Sequence, residues 1–285
     1  MIRGLRVLSV LVFLLIVLGG VVRIMGAGLS CPDWPFCFGK IIPPFDSLVF
    51  LEWFHRLIAA IVSILVAVAA WIIFVCPHFR KSLGKLMVVA LGLLILQIFL
   101  GAATVWGLLA PGTVALHLAI GYGFFAHCLL MALKVEDRTK RPSLGKPPLW
   151  KLSVLVLAVV YMQVVLGGMV SSHYAGLACP DFPTCFGEWV PTLVGPIKYQ
   201  FFHRVGALLV TVSLMILLFS VRKGGISQRG RMALRMSAIF LMLQIGIGVG
   251  AIHSQLALWT RIAHVAIAAA LFASMVIVTY ESRRE

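Results

Sequence analysis

The chain has 285 residues, of which 61% are hydrophobic and only 12% are charged, and its mean hydropathy is +1.06. A soluble domain needs more polar surface than this composition supplies, so the protein is expected to lie in a membrane. The formal net charge of +15 would also suit a nucleic-acid-binding protein, but the positions of the basic residues argue against that class.

Eight apolar stretches are long enough to cross a bilayer as helices, for which about 20 residues are needed. When the spans alternate in direction, 18 of the 24 Lys and Arg residues fall on one side, and the positive-inside rule makes that side cytoplasmic. We therefore predict a multi-pass protein of the cell membrane with both termini in the cytoplasm, in contact with lipid and not with nucleic acid. The predicted spans cover residues 6–26, 48–76, 86–108, 112–134, 151–173, 197–221, 232–253 and 257–280.

The first outer loop contains the motif CPDWPFCFGK, which begins at Cys31 and includes Cys37. Thiols on the outer side of a cell membrane are usually oxidised, so the plain interpretation is a Cys31–Cys37 disulfide that holds the loop over the mouth of a helix bundle. A redox-active dithiol is the alternative for this pair.

Span two carries Glu52, His55 and Arg56 in the motif ExxHR. Glu52 precedes His55 by three residues, so both side chains project from one face of the helix. A carboxylate within a membrane can exchange protons near neutral pH, which makes Glu52 a candidate for catalytic proton transfer. A structural hydrogen bond to Trp53, Arg56 or a neighbouring helix is the alternative.

Span four carries His117, and a histidine within a span usually faces an interior or a ligand because it is costly in lipid. At about 1.5 Å per residue, His55 and His117 both lie roughly 10 Å below the outer surface. Their helices run in the same direction. The two imidazoles can therefore face each other across a bundle.

A polar, proline-bearing segment at 135–150 is typical of a linker, and the chain after it repeats the chain before it. We predict two tandem four-helix bundles, residues 1–147 and 148–285, related as a parallel repeat. The matched residues, 147 or 148 positions apart, are Cys31 and Cys179, Cys37 and Cys185, His55 and His203, His117 and His264, and Gln97 and Gln244.

Two facing histidine pairs in apolar four-helix bundles suit the axial positions of haem iron. Zinc is less favoured, because two ligands fall short of the usual three or four. Arg56, Arg204 and Arg261 lie close in sequence to these histidines, where they could pair with haem propionates or extend to the membrane interface. A second pair of cysteines, Cys179 and Cys185, favours a structural disulfide.

One matched position breaks the repeat, because Glu52 corresponds to the non-titratable Gln200. Only the first half therefore has an acid near its histidine pair. This difference favours the proton-transfer role of Glu52 over a purely structural one.

Eight spans in two halves, CxxxxxC in two outer loops, ExxHR in span two and single histidines in spans four, six and eight resemble the heme A synthase family. The resemblance covers nearly the whole chain. It implies an all-α integral membrane enzyme that oxidises the C8 methyl of haem O to a formyl group by successive hydroxylations, giving haem A for terminal oxidases.

The same resemblance implies roles for individual residues. Glu52, His55 and His117 match the half that takes haem O, with Arg56 beside them, and Cys31 and Cys37 match a pair implicated in activity. The ligands of a bound haem b are matched by His203 and His264, with Arg204 and Arg261 nearby, and the second cysteine pair by Cys179 and Cys185.

The resemblance also implies partners: heme O synthase, which is the protohaem farnesyltransferase, and a membrane electron acceptor such as a quinone. Two other classes of function stay open from the residues. One is a membrane thiol-disulfide or quinone-linked redox protein in which the histidines are structural. The other is a haem carrier without catalysis.

Overall fold

A computed structural model describes residues 1–137, 149–221 and 226–283. These residues form eight α-helices and no strand, which confirms the predicted all-α class. All eight helices are long and apolar enough to cross a membrane. They are α1 Ile2–Ile24, α2 Ser47–Val75, α3 Pro77–Trp106, α4 Pro111–Asp137, α5 Trp150–Ser172, α6 Ile197–Val221, α7 Gln228–His253 and α8 Leu258–Ser282.

The chain divides into two compact units, Met1–Lys140 and Arg141–Glu285, of four helices each. In the first unit α1 packs against α2 and α4, and α3 packs against the same two helices. In the second unit α5 packs against α6 and α8, and α7 packs against the same two. Each unit is thus a closed four-helix bundle. Most of the predicted linker, with its boundary at 147, lies outside the described residues.

The helices begin where the sequence provides local signals. The Asp46 side chain caps α2 by accepting hydrogen bonds from the amides of Leu48 and Val49, and Pro77 stands at the first position of α3. An aspartate cap satisfies amides that have no partner within the helix, and proline is tolerated at the first position because its missing N–H would have none.

One predicted boundary is wrong. The segment 77–85, expected to be a cytoplasmic loop, forms the first turns of α3, which begins at Pro77 rather than near residue 86. Arg80, Lys81 and Lys85 lower the hydropathy of these turns without disfavouring helix, because Arg and Lys are good helix formers. Hydropathy locates the apolar part of a helix, and this helix continues beyond it.

Candidate functional site

The imidazoles of His203 on α6 and His264 on α8 face each other in the second bundle. Their ring centroids are 6.3 Å apart and the ring planes meet at 68°. Each histidine is the seventh residue of its helix, so both lie about 9 Å from the helix start at 1.5 Å per residue. Equal depth on neighbouring sides of one bundle brings the two rings together.

This spacing can be compared with that of two imidazoles on one metal ion. A metal–imidazole bond is about 2.0–2.1 Å and the ring centroid lies about 1.1 Å behind the ligating nitrogen, so opposed ligands have centroids about 6.3 Å apart. The observed 6.3 Å between His203 and His264 fits that arrangement. No cluster of three or more metal-ligating side chains occurs in the described parts of the chain. The spacing of the pair fits a centre with two protein ligands, such as the predicted bis-histidine haem.

The first bundle repeats the arrangement with His55 on α2 and His117 on α4. The two side chains are close enough to interact electrostatically. Both rings are partly covered, and the Nδ1 atoms of both are buried without a hydrogen-bond partner among the described residues. Buried imidazole nitrogens without partners are costly in an apolar bundle, so these two Nδ1 atoms are unusual for core histidines.

A glycine on an adjacent helix faces each of the four imidazoles. A Cβ added at Gly19 or Gly248 would lie 3.1 Å from Cε1 of the facing histidine, and one at Gly167 would lie 3.2 Å away. A Cβ added at Gly101 would lie 3.4 Å from Cε1 of His117, so this position has slightly more room. The absence of a side chain at these positions makes the space in which each ring stands. The facing pairs are Gly19 and His55, Gly101 and His117, Gly167 and His203, and Gly248 and His264.

Sequence reasoning missed the function of these glycines, although the signal was present. Gly19 and Gly167 are 148 positions apart, and Gly101 and Gly248 are 147 apart, which are the offsets of the histidines that they face. A glycine that recurs in register with a recurring histidine predicts close approach of a helix backbone to that ring.

Glutamines contact histidines in both bundles, and Gln244 hydrogen-bonds His264 as Gln97 does His117. The Gln97 amide nitrogen lies 3.1 Å from Nε2 of His117. The Gln163 amide nitrogen lies 3.1 Å from Nδ1 of His203 and also donates to the His203 carbonyl at 2.9 Å. Gln97 was noticed in the sequence because it matches Gln244, whereas Gln163 was missed because its matched position holds Leu15.

Both outer loops are closed by the predicted disulfides, Cys31–Cys37 and Cys179–Cys185. In the first loop the Asp33 carboxylate accepts hydrogen bonds from the amides of Phe38 and Gly39, at 2.6 and 2.7 Å. The Gly39 amide, followed by that of Phe38, holds the pKa of Asp33 below its ordinary value.

The second loop repeats the two amide contacts and adds a third donor, because Thr184 stands where the first loop has Phe36. The Asp181 carboxylate accepts from the amides of Phe186 and Gly187 and from the Thr184 hydroxyl. The Thr184 hydrogen bond comes first among the causes that lower the pKa of Asp181. Each loop is therefore ordered by one disulfide and by the hydrogen bonds of one carboxylate.

Arg56 and Arg204 attach these loops to the helices beneath them. Arg56 donates to the carbonyls of Asp33 and Phe36, both at 2.6 Å, and to that of Cys31 at 3.2 Å. Arg204 donates to the carbonyls of Thr184 and Cys179 at 2.5 and 2.8 Å. These contacts were not foreseen; the predicted pairing with propionates stays a prediction.

The remaining predicted arginine, Arg261, lies on α8 one turn before His264 and is partly buried. Its helix brings it to the outer side of the histidine pair.

Glu52 is buried, with 4% of its surface exposed, and it joins the loop to α2. Its Oε2 accepts a hydrogen bond from the Cys31 amide at 2.8 Å, and its Oε1 forms an ion pair with Arg56 at 2.6 Å. The structural hydrogen bond considered as an alternative to proton transfer thus exists. In the second bundle Gln200 instead donates to the Gly176 carbonyl at 3.3 Å, so only the first loop has a carboxylate in contact with its first cysteine.

The fold and the site together define a class: membrane proteins built from two similar four-helix bundles, each with a pair of neighbouring histidines and a loop closed by a disulfide. The sequence matches the COX15-CtaA family, described as cytochrome oxidase assembly protein, over residues 3–48 and 44–276. The chain belongs to this family.

Several relatives carry the name Heme A synthase. The chain is 30% identical over 318 residues to the one from Shewanella oneidensis, covering 97% of this chain and 94% of the relative. It is 32% identical to that of Bacillus pumilus, with 92% and 89% covered, and 33% identical to that of Symbiobacterium thermophilum, with 78% and 76% covered. The likeness therefore extends through both bundles.

Proposed function

We propose that this chain is a heme A synthase, which oxidises the C8 methyl of haem O to a formyl group by successive hydroxylations. Three features support the proposal: membership of the family, relatives of that name along nearly the whole chain, and two facing histidine pairs. The observation that carries it is the His203–His264 pair, whose 6.3 Å spacing suits ligation from both sides of one iron.

In this proposal one bundle binds the cofactor and the other binds the substrate. In the second, residues 148–285, His203 and His264 would be the residues that hold haem b as the cofactor. The first, residues 1–147, takes haem O as substrate between His55 and His117. The assignment is supported by the difference at Glu52 and Gln200, which leaves one of two otherwise similar sites with an acid.

Glu52 accepts protons released as the methyl group is oxidised. It precedes His55 by one turn on α2, and its ion pair with Arg56 holds the carboxyl group in place beside the histidine pair, where it can act as a general base. A haem b held by His203 and His264 would supply a one-electron carrier between this chemistry and a membrane acceptor such as a quinone.

The Cys31–Cys37 pair takes part in activity through its contact with this acid. The Cys31 amide donates to Glu52, so opening or rearranging the first loop changes the surroundings of the carboxylate. The Cys179–Cys185 pair makes no corresponding contact with a carboxylate, since Gln200 stands at the matched position. It serves as a structural lid.

Arg56, Arg204 and Arg261 face the propionates in this proposal. Arg204 supports this role, because its Nε is buried and makes no hydrogen bond within the described chain although two other nitrogens hold the loop. A guanidinium has five N–H donors, so loop attachment leaves donors for a carboxylate.

The protein lies in the cell membrane with both termini cytoplasmic, as the excess of basic residues on that side favours. Heme O synthase supplies the substrate. Both substrate and product are amphipathic porphyrins, which suits transfer within the bilayer.

The test is conversion of haem O by a Glu52→Gln variant, with Gln200→Glu as the matched control. Glutamine keeps the shape and an oxygen that can accept from the Cys31 amide, but it cannot take a proton. Haems extracted from cells that make each variant are separated and quantified. We expect Glu52→Gln to retain haem b and make no haem A, and Gln200→Glu to keep making it. Normal haem A production by Glu52→Gln would refute the role of this acid.

A further inference from the structure

The two bundles differ in a second place, beneath the histidines of α2 and α6. Gln163 on α5 contacts His203, and the matched position on α1 is Leu15. Gly206 on α6 makes room for this glutamine, because a Cβ at that position would overlap the Gln163 amide oxygen. The residue matched to Gly206 is Ile58. One bundle thus has Gln with Gly where the other has Leu with Ile.

As a result, the matched imidazoles of His203 and His55 differ in their hydrogen-bond partners. Nδ1 of His203 has the Gln163 amide nitrogen 3.1 Å away, and the same nitrogen donates to the His203 carbonyl at 2.9 Å. Nδ1 of His55, the matched ring, is buried without a hydrogen-bond partner in the described residues. His203 is held at its ring and at its backbone, and His55 is held at neither by a matching amide.

A glutamine amide can hydrogen-bond to Nδ1 whether or not that nitrogen carries a proton. It carries two donors and an acceptor, so it can donate to a bare Nδ1 or, after half a turn, accept from Nδ1–H. The Gln163 oxygen is buried and has no partner among the described residues. After half a turn of the amide, this oxygen can accept from the Nδ1–H that His203 carries when Nε2 binds iron, and the donation to the His203 carbonyl is given up in exchange.

We propose that Gln163 is a positioning residue that makes the second bundle a permanent haem site, while its absence from the first bundle leaves His55 able to release haem. The inference rests on the proposed function, in which one porphyrin is a resident cofactor and the other arrives as substrate and leaves as product. A partner on the remote nitrogen fixes the orientation of a ligating imidazole and raises its basicity, and loss of such a partner typically costs 10–100-fold in metal affinity.

The experiment isolates the second site in a His55→Ala/His117→Ala background. Purified protein loaded with haem b is mixed with excess apomyoglobin, and the rate of haem transfer and the midpoint potential are measured. We expect Gln163→Leu and the similarly shaped Gln163→Met to release haem about 10–100-fold faster and to have a more positive potential. Gln163→Glu keeps an acceptor, so it should retain haem and shift the potential in the negative direction.

Opposite shifts in potential separate an effect on the ligand from a general loss of packing, which would not reverse sign with the chemistry of the side chain. Parental release rates and potentials in both Gln163→Leu and Gln163→Met would overturn the proposal. The reverse exchange, Leu15→Gln with Ile58→Gly in a His203→Ala/His264→Ala background, should slow release from the first site, and unchanged release there would contradict it.

A parallel His203→Ala variant in the first background distinguishes this proposal from the proposed function. If that variant loses haem while Gln163→Leu behaves as the parent, only the role of Gln163 fails. If it retains haem with an unchanged spectrum, the ligand assignment fails, and the role of Gln163 fails with it.

Discussion

The glycines that face the histidines give the sharpest test of how the bundles make room for a ligated ring. In Gly248→Ala the new Cβ would stand 3.1 Å from Cε1 of His264, whereas carbon atoms in favourable contact are about 3.5–4.0 Å apart. The ring would have to move by about half an ångström. An imidazole bound to iron cannot move that far without weakening its bond.

The size of the effect follows from the cost of overpacking, about 1–3 kcal/mol for an inserted methyl group. At 1.4 kcal/mol per tenfold, haem binding should weaken about 5- to 150-fold. Gly167→Ala, at 3.2 Å from His203, should behave similarly, and Gly101→Ala, at 3.4 Å from His117, should have the smallest effect of the series on its own site.

Matched controls lie on the same helix. A Cβ at Gly246 or Gly250 would meet nothing within 4 Å, so alanine there should only raise helix propensity, by roughly 1 kcal/mol. The assay is haem content per purified protein and the rate of haem transfer to apomyoglobin. Equal haem retention by Gly248→Ala and Gly250→Ala would refute the steric argument.

The outer loops provide two further predictions. The guanidinium of Arg204 donates to the carbonyls of Thr184 and Cys179 together, and the single ammonium group of Arg204→Lys cannot replace this two-pronged contact. Hydrogen bonds to charged groups contribute about 1.5–3 kcal/mol. Hydrogen exchange of the loop amides, measured by mass spectrometry, should therefore rise about 10- to 100-fold. Unchanged exchange would contradict the attachment. The depressed pKa of Asp33 means that its stabilisation of the loop is fully present above its ordinary value of 3.8 and is lost as the pH falls below it. Protection of the Phe38 and Gly39 amides, corrected for intrinsic rates, should weaken there in the parent, and in Asp33→Asn it should be lower and independent of pH across that range.

Much of the architecture could be predicted because a membrane simplifies the problem. A long apolar stretch has to satisfy its own backbone hydrogen bonds in lipid, so hydropathy alone locates helices. The internal repeat added information, since Cys31, His55 and their partners at 179 and 203 mark equivalent places in two bundles. The prediction of a loop at 77–85 was wrong because basic residues end an apolar stretch without ending a helix.

The details of the site were harder to predict, because they depend on which side chains meet across helices. The motif ExxHR identified Arg56, but its three carbonyl partners lie 20 to 25 positions earlier in a loop whose path no periodicity reveals. Gln163 could not be found by searching for matched residues, since it is a difference between the repeats. Comparing the halves for differences, as Glu52 and Gln200 suggested, would have identified it.

The central claim, that His203 and His264 hold one iron between them, is tested most directly by electron paramagnetic resonance of the purified protein with single histidine replacements. We expect a low-spin signal from two imidazole ligands that disappears in both His203→Ala and His264→Ala and persists in His55→Ala. Survival of that same signal in His203→Ala or in His264→Ala would contradict it.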